Sequence, residues 1–359
     1  MYSSKQIIFG IIFNSAIICA QFSTKGILTI GTITGNDVPV HWSKYQSSIS
    51  YITTISFKQD ISTQSLLDFE WGYQLQRDYS GDSLYKTIEK PYRLWTRFSN
   101  EKLEARLGLQ KIIFGPTQIL RPLSWFDSFD IKNPTNETNG VEALRLKWFS
   151  SNNNTLWSWF IRDDLDTISY GGRYEFLSPL GEIGITIHSD PKISYQVIGQ
   201  TGIPIKNPHN RIAVDYRYDG IIGFWNENAM IQSKTSQITL ATIGADYTLP
   251  ILNGLLIMTE LMYTSNKSND QHKTKNYSAF MASLPIGMTH LAMYVSQIDW
   301  SEEKTYHYLR WSSTFDNYSL NWILSLNPKR NQYNIPENML PKSIAGFGTN
   351  IQFMFIYHH

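Results

Sequence analysis

Nine basic residues fall on one side of the chain when side chains are sorted by alternation: Arg93, Arg97, Arg106, Arg145, Lys147, Arg162, Arg173, Arg211 and Arg217. Asp68, Glu70, Glu104, Glu175 and Asp215 share that side. Most of the cations lie between residues 93 and 173, so one wall of whatever they line should be basic. Guanidinium and ammonium groups ringed around water favour anions electrostatically. The competing account is that these cations and acids pair off as interior filling. Alternation leaves both open.

Other chemistries lack their residue sets. The eight histidines, His41, His188, His209, His272, His290, His307, His358 and His359, form no HExxH or closely spaced ligand group. No GxSxG, P-loop or GxGxxG motif occurs. Asp163, Asp164 and Asp166 resemble part of a calcium loop but lack its glycine and closing glutamate. Neither an enzyme nor a metal or cofactor site is expected. A formal charge of +1 with 17% charged residues gives no general pull toward nucleic acid. Cys19 is the only cysteine, so no disulfide framework is available.

The elements that must position these charges are strands. In "LLDFEWGYQLQRD", residues 66–78, Leu67, Phe69, Trp71, Tyr73 and Leu75 alternate with Asp68, Glu70, Gly72, Gln74 and Gln76. A period of two puts successive side chains on opposite faces. The pattern returns in "KLEARLGLQ", "RIAVDYRYD" and "NYSLNWILSLN". Such runs of roughly 10 residues match a tilted bilayer-spanning strand, which needs about 9–11, better than a globular strand of about 5–6.

Turn residues sharpen the reading. Tight turns are expected at Gln59-Asp60, Asn100-Glu101, residues 151–154, residues 178–181, Asp219-Gly220, residues 250–254, residues 285–287 and Asp316-Asn317. Longer connections are expected over residues 35–45, 79–87, 116–139, 191–208, 265–275 and 329–346. Eight short turns joining strands in pairs, with one strand more at each end, give about 18 strands; 16 is the other acceptable count. The fold class is therefore all-β, a transmembrane antiparallel β-barrel with short periplasmic turns and longer outer loops. Closure satisfies the backbone and abolishes edges. Charges on its lipid face would cost about 2–4 kcal/mol each at mid-membrane, which favours an inward course for the basic residues. The eleven tryptophans should mostly form interfacial girdles.

Residues 1–20, with Lys5, an apolar run from Ile7 to Cys19 and Ala20 before Gln21, read as a cleaved secretory signal. Residues 21–359 then form a single outer-membrane barrel domain.

One stretch is more particular: "RLGLQKIIFGPTQILRPLSWFDSFDIKNPTNETNGVEALRLKW". Gly108, Gln110, Ile112, Phe114 and Gly115, followed by Trp125, Phe126, Asp127, Asp130, Asn133 and Pro134, resemble a strand end and loop of bacterial outer-membrane porin-like proteins. The alternation of Ile351, Phe353, Phe355 and Tyr357 similarly resembles the C-terminal strand that bacterial barrel-assembly machinery reads, although here His358 and His359 follow it. The resemblance implies an inward-folded constriction loop carrying Trp125, Phe126, Asp127 and Asp130; a loop capping the outer rim is the alternative. It also implies a channel for passive diffusion of small polar or anionic solutes, in contact with outer-membrane lipid and with scope for homo-oligomers. A closed barrel holding a surface polysaccharide or a protein partner is the second reading.

Overall fold

The structure, a computed structural model, describes residues 21–150, 153–162, 166–198, 201–205, 208–268, 271–333 and 340–359. Residues 1–20, and with them the expected signal segment, lie outside the described residues.

The first half of the wall comprises β1 (Gln21–Gly35), β2 (Tyr45–Ser62), β3 (Ser65–Ser80), β4 (Ser83–Asn100), β5 (Leu103–Gln110), β6 (Val141–Phe149), β7 (Thr155–Arg162), β8 (Ile168–Ser178) and β9 (Gly181–Asp190). A small separate hairpin, β10 (Ser194–Ile198) and β11 (Thr201–Ile205), follows. The wall resumes with β12 (His209–Asp219), β13 (Gly223–Ser233), β14 (Ser236–Leu249), β15 (Leu255–Ser268) and β16 (Gln271–Ile286). It finishes with β17 (His290–Asp299), β18 (Lys304–Thr314), β19 (Tyr318–Leu326) and β20 (Thr349–His358).

Among the described residues these form an 18-stranded antiparallel barrel, each strand pairing with the next in the chain and β9 with β12. It closes where β1 pairs with β20, Ile30 opposite Phe355. Beyond the last pair, the His359 N–H donates to the Gly26 carbonyl at 3.1 Å and the Gly26 N–H returns the bond at 3.0 Å. No sheet edge is left along this seam.

Alternation fixes which side chains meet lipid. Phe69, Leu75, Leu144, Phe160, Ile187, Val214, Leu261, Trp322 and Ile351 stand exposed on the outer face. Their strand neighbours turn inward, as with Asp68, Arg145, Trp159, His188 and Asp215, all buried. A continuous apolar exterior over a closed, hydrogen-bonded wall is a surface for hydrocarbon.

Seven of the eight tight turns expected from sequence fall in connections at one end of the barrel. Gln59 and Asp60 lie instead within β2, opposite Leu67 and Leu66, and the turn at that end comes at residues 63–64. Two of the expected longer connections are instead strand. β3 and β4 run to residues 80 and 83, and β15 and β16 reach residues 268 and 271. These polar strand ends rise past the apolar belt, where no lipid imposes an outward apolar residue. The tryptophans also correct the girdle expectation. Trp95, Trp157, Trp159 and Trp225 point inward and Trp125 lies in a loop, whereas Trp148, Trp311 and Trp322 face out. Parity along the strand, and not nearness to a strand end, decides the side.

Candidate functional site

The segment from 111 to 140 leaves the wall where β5 stops. Gln110 is wholly buried and donates its side-chain amide to the Ala143 carbonyl at 2.8 Å, tying the strand end to β6. The chain then turns inward. Gly115 has a φ of 89°, in the region that favours glycine, and a Cβ there would run into the Glu227 carboxylate.

Two glutamates receive this segment. Glu227 on β13 accepts the N–H groups of Thr117 and Leu123 at 2.8 and 3.2 Å. Glu260 on β15 accepts those of Gln118, Ile119 and Leu120 at 2.8, 3.1 and 2.6 Å. Trp225 Nε1 adds a fourth bond to Glu260 at 3.2 Å. Between β5 and β15 along the wall stand β6, β7, β8, β9, β12, β13 and β14, so the loop reaches nearly the opposite side. Farther along, Tyr308 Oη and Arg310 Nη1 on β18 donate to the Lys132 carbonyl at 2.5 and 3.3 Å. On the return, Arg93 Nη2 donates to the Thr138 carbonyl at 2.8 Å. The segment crosses the lumen and does not cap its rim.

Sequence reasoning passed over Glu227 and Glu260. The signal was present as an isolated carboxylate on an otherwise apolar inward face, Glu227 among Trp225, Ala229 and Ile231 and Glu260 between Met258 and Met262. A buried carboxylate needs donors. Here the loop's backbone supplies them.

Trp125 and Phe126 pack with Phe114, Trp159 and His188. Phe114 stacks on Trp159 at 5.6 Å between ring centroids, and Phe126 meets His188 edge-on at 4.9 Å. Asp127 is turned into the loop, 2.5 Å from Arg121 Nη1, with its side chain only 1% exposed. Asp130 is 51% exposed and lies 3.7 Å from Lys132 Nζ.

The cations divide into three kinds. Several are held by carboxylates: Arg97 by Asp68; Arg145 by Glu104 at 2.6 Å; Arg173 by Asp215 at 2.5 Å and by Glu175 at 2.6 Å; Arg217 by Asp219 at 2.8 Å. Arg211 lies 3.7 Å from Asp190, and Arg93 is spent on the carbonyls of Tyr92 and Thr138. Arg162 departs from the expected face: it shares the outward parity of Leu156 and Phe160 and pairs with Asp166 at 2.6 Å at the end of β7. Its position at the strand end frees it from the alternation that governs the membrane-embedded part.

Arg106 and Lys147 form the third kind. Arg106 has its nearest carboxylate, Glu104, at 3.7 Å and lies 4.2 Å over the ring of Trp95. Its Nε is buried with no hydrogen-bond partner. Lys147 sits 3.3 Å over Trp157, opposite Glu104 in the β5–β6 register. Glu104 is already shared, with Arg145 at 2.6 Å and Arg97 at 3.4 Å. Glu70 faces the same wall and accepts the Trp95 indole N–H at 3.2 Å. Positive charge is thus left over on the inner faces of β5 and β6, between two tryptophans.

No protein-family model matches this chain, and no curated protein matches it. Solved structures do. An outer membrane protein, OmpT, of Vibrio cholerae in its trimer form matches with a TM-score of 0.52 and 8% identity, over 95% of this chain and 100% of that one. OmpF of Salmonella typhi in complex with daunomycin matches with a TM-score of 0.50 and 9% identity, over 95% and 98%. A mutant of the Rh. blastica porin matches with a TM-score of 0.50 and 10% identity, over 94% and 100%. At these identities the likeness is one of fold. What the likeness covers is the closed antiparallel barrel itself. The chain has the porin-like β-barrel fold of outer-membrane proteins, with an apolar exterior suited to hydrocarbon.

Proposed function

We propose that the barrel is a passive channel admitting small polar solutes, with a preference for anions. The observation that carries this is the unbalanced charge of Arg106 and Lys147 on the lumen wall. Arg173, Arg145 and Arg97 have close carboxylate partners and serve as structural cross-braces; Arg106 and Lys147 do not. Each lies over an indole face, which holds a cation by its quadrupole without neutralising it. A field from low-dielectric walls around such groups raises the local anion concentration. The reversal potential across a planar bilayer under a salt gradient tests this. Arg106→Gln with Lys147→Gln should move it toward cation preference.

A closed barrel is the second reading, and one observation favours it. Trp159, Ile231, Ile238 and Leu240, all inward, pack with Leu120 and Leu123 of the crossing loop into an apolar cluster with almost no exposure. That side of the lumen is filled. A cavity of about 440 Å³ remains elsewhere in the lumen, along β17–β20.

We also read residues 1–20 as an export signal removed before Gln21, which N-terminal sequencing of the membrane form would check. Assembly would use the bacterial barrel-assembly machinery, with outer-membrane lipid around the wall and self-association as a further option. The channel reading requires no cofactor and no catalysis.

A further inference from the structure

The cavity of about 440 Å³ lies between the crossing loop, the wall from β17 to β20 and the connection from β19 to β20. Its volume is within the range of small-molecule sites, roughly 300–1,000 Å³. What distinguishes it is the chemistry of its lining.

Two tyrosines on β18 form its aromatic side, and both hydroxyls are occupied elsewhere. Tyr308 Oη donates to the Lys132 carbonyl at 2.5 Å, and Tyr306 Oη lies 3.0 Å from Tyr333 Oη. These bonds fix the rings, and both tyrosines line the cavity, Tyr308 with part of its ring packed against the apolar cluster around Met293 and Val295. Beside them in register stand uncharged polar groups. Gln297 is opposite Tyr306, Ser325 opposite Tyr308, and Gln352 opposite Ile323 on the adjoining strand. Among the described residues, none of the side chains of Gln297, Ser325 and Gln352 has a hydrogen-bond partner, and all three line the cavity. The lining charges, Asp130 and Lys132, lie 3.7 Å apart and offset each other.

Fixed aromatic faces beside unpaired carboxamides and a hydroxyl match one class of ligand. A sugar ring presents C–H groups on its faces and hydroxyls around its rim. The rings take the faces, and each carboxamide can both donate to and accept from a hydroxyl. Among the lining side chains an anion would find Lys132 already offset by Asp130, and a purely apolar molecule would leave the amides unpaired. We infer that this cavity is a binding site for a neutral saccharide of one or two rings, separate from the charged wall at Arg106 and Lys147. The inference concerns binding and does not depend on the channel reading.

Calorimetric titration of the whole barrel in a polyoxyethylene detergent tests it, with sucrose and glucose as probes and a polyethylene glycol of sucrose's mass as the non-sugar control. Saturable binding of a sugar, absent for the glycol, is expected. It should weaken at least tenfold in Gln297→Leu with Gln352→Leu. Ser325→Ala, a smaller change, keeps the test decisive if that pair fails to fold and should weaken binding about threefold. Absence of saturable sugar binding in the unaltered protein would overturn the inference. So would equal binding of the glycol, or affinity unchanged in a folded variant. Because no ion flux is read, a barrel that binds sugar but does not conduct would remove the channel reading and leave this one standing.

Discussion

Gln118 gives its backbone N–H to Glu260 at 2.8 Å, and the two residues belong to opposite sides of the barrel. Ile119 and Leu120 bond the same carboxylate. A single side chain on β15 thereby holds three consecutive amides of a loop rooted at β5. Hydrogen bonds to a charged group contribute about 1.5–3 kcal/mol each. Together with the two bonds to Glu227, they make the crossing an anchored feature of the lumen.

Glu260→Ala should therefore loosen the loop without opening the wall. Amide hydrogen exchange at residues 118–120 is expected to rise at least tenfold, with the exchange of β15 itself little changed. Protection retained at those amides would show that the apolar packing of Leu120 and Leu123 holds the loop unaided.

Gly115→Ala meets two obstacles, a positive φ and the Glu227 carboxylate in the space a Cβ would take. We expect a loss of about 2 kcal/mol or more, since a strained backbone position alone costs on the order of 1–3 kcal/mol. Heat-modifiable gel migration across a temperature series measures it. A melting profile equal to that of the unaltered barrel would contradict the placement of Glu227 against this turn.

Arg145→Gln separates cross-bracing from selectivity. Arg145 bonds Glu104 at 2.6 Å and is buried, so its loss should destabilise the barrel and free Glu104 to neutralise Arg106. The predicted result is a lower melting temperature together with a partial fall in anion preference, smaller than for the Arg106 and Lys147 pair. Equal effects from the two sets would show that the close pair at Glu104 does not shield Arg145.

At the outer rim, Glu302 links Lys275 and Lys304, and bonding to these two ammonium groups holds its carboxyl below the usual value of 4.5. A depressed folded pKa means that the link stabilises the rim above the unfolded pKa and loses that contribution as pH falls through the folded one. Proteolysis of the β17–β18 turn should be slow at neutral pH and accelerate below about pH 4.5. Glu302→Gln should remove the acid-dependent part. A cleavage rate independent of pH in the unaltered protein would count against the link.

Much of this architecture was legible because a barrel wall obeys a local rule. Leu67, Phe69 and Leu75 alternate with Asp68, Gln74 and Gln76 whatever lies across the sheet, and turn residues such as Asp219 and Gly220 punctuate the wall without reference to distant strands. The lumen obeys no such rule. Arg173 and Asp215 are 42 residues apart and meet only because β9 lies between β8 and β12. The role of Glu260 depends on a loop rooted on the far wall, and Asp127 is turned away from the pore by Arg121, a partner within its own loop. Trp157 and Trp159 read as interfacial because of their type, yet strand parity sends them inward. Side was readable along the strands, with Arg162 at the end of β7 the exception; pairing across the ring was not.

The central claim is that this barrel conducts and that Arg106 and Lys147 set its ionic preference. Single-channel recording in planar bilayers under a tenfold gradient of potassium chloride tests it most directly, in dilute salt, where screening lengths of about 10 Å at 0.1 M leave the wall's field intact. The account predicts steady open channels whose reversal potential has the sign of anion preference and moves toward cation preference in Arg106→Gln with Lys147→Gln. Absence of conductance from a folded, heat-modifiable barrel, or a reversal potential indifferent to that double substitution, would contradict it.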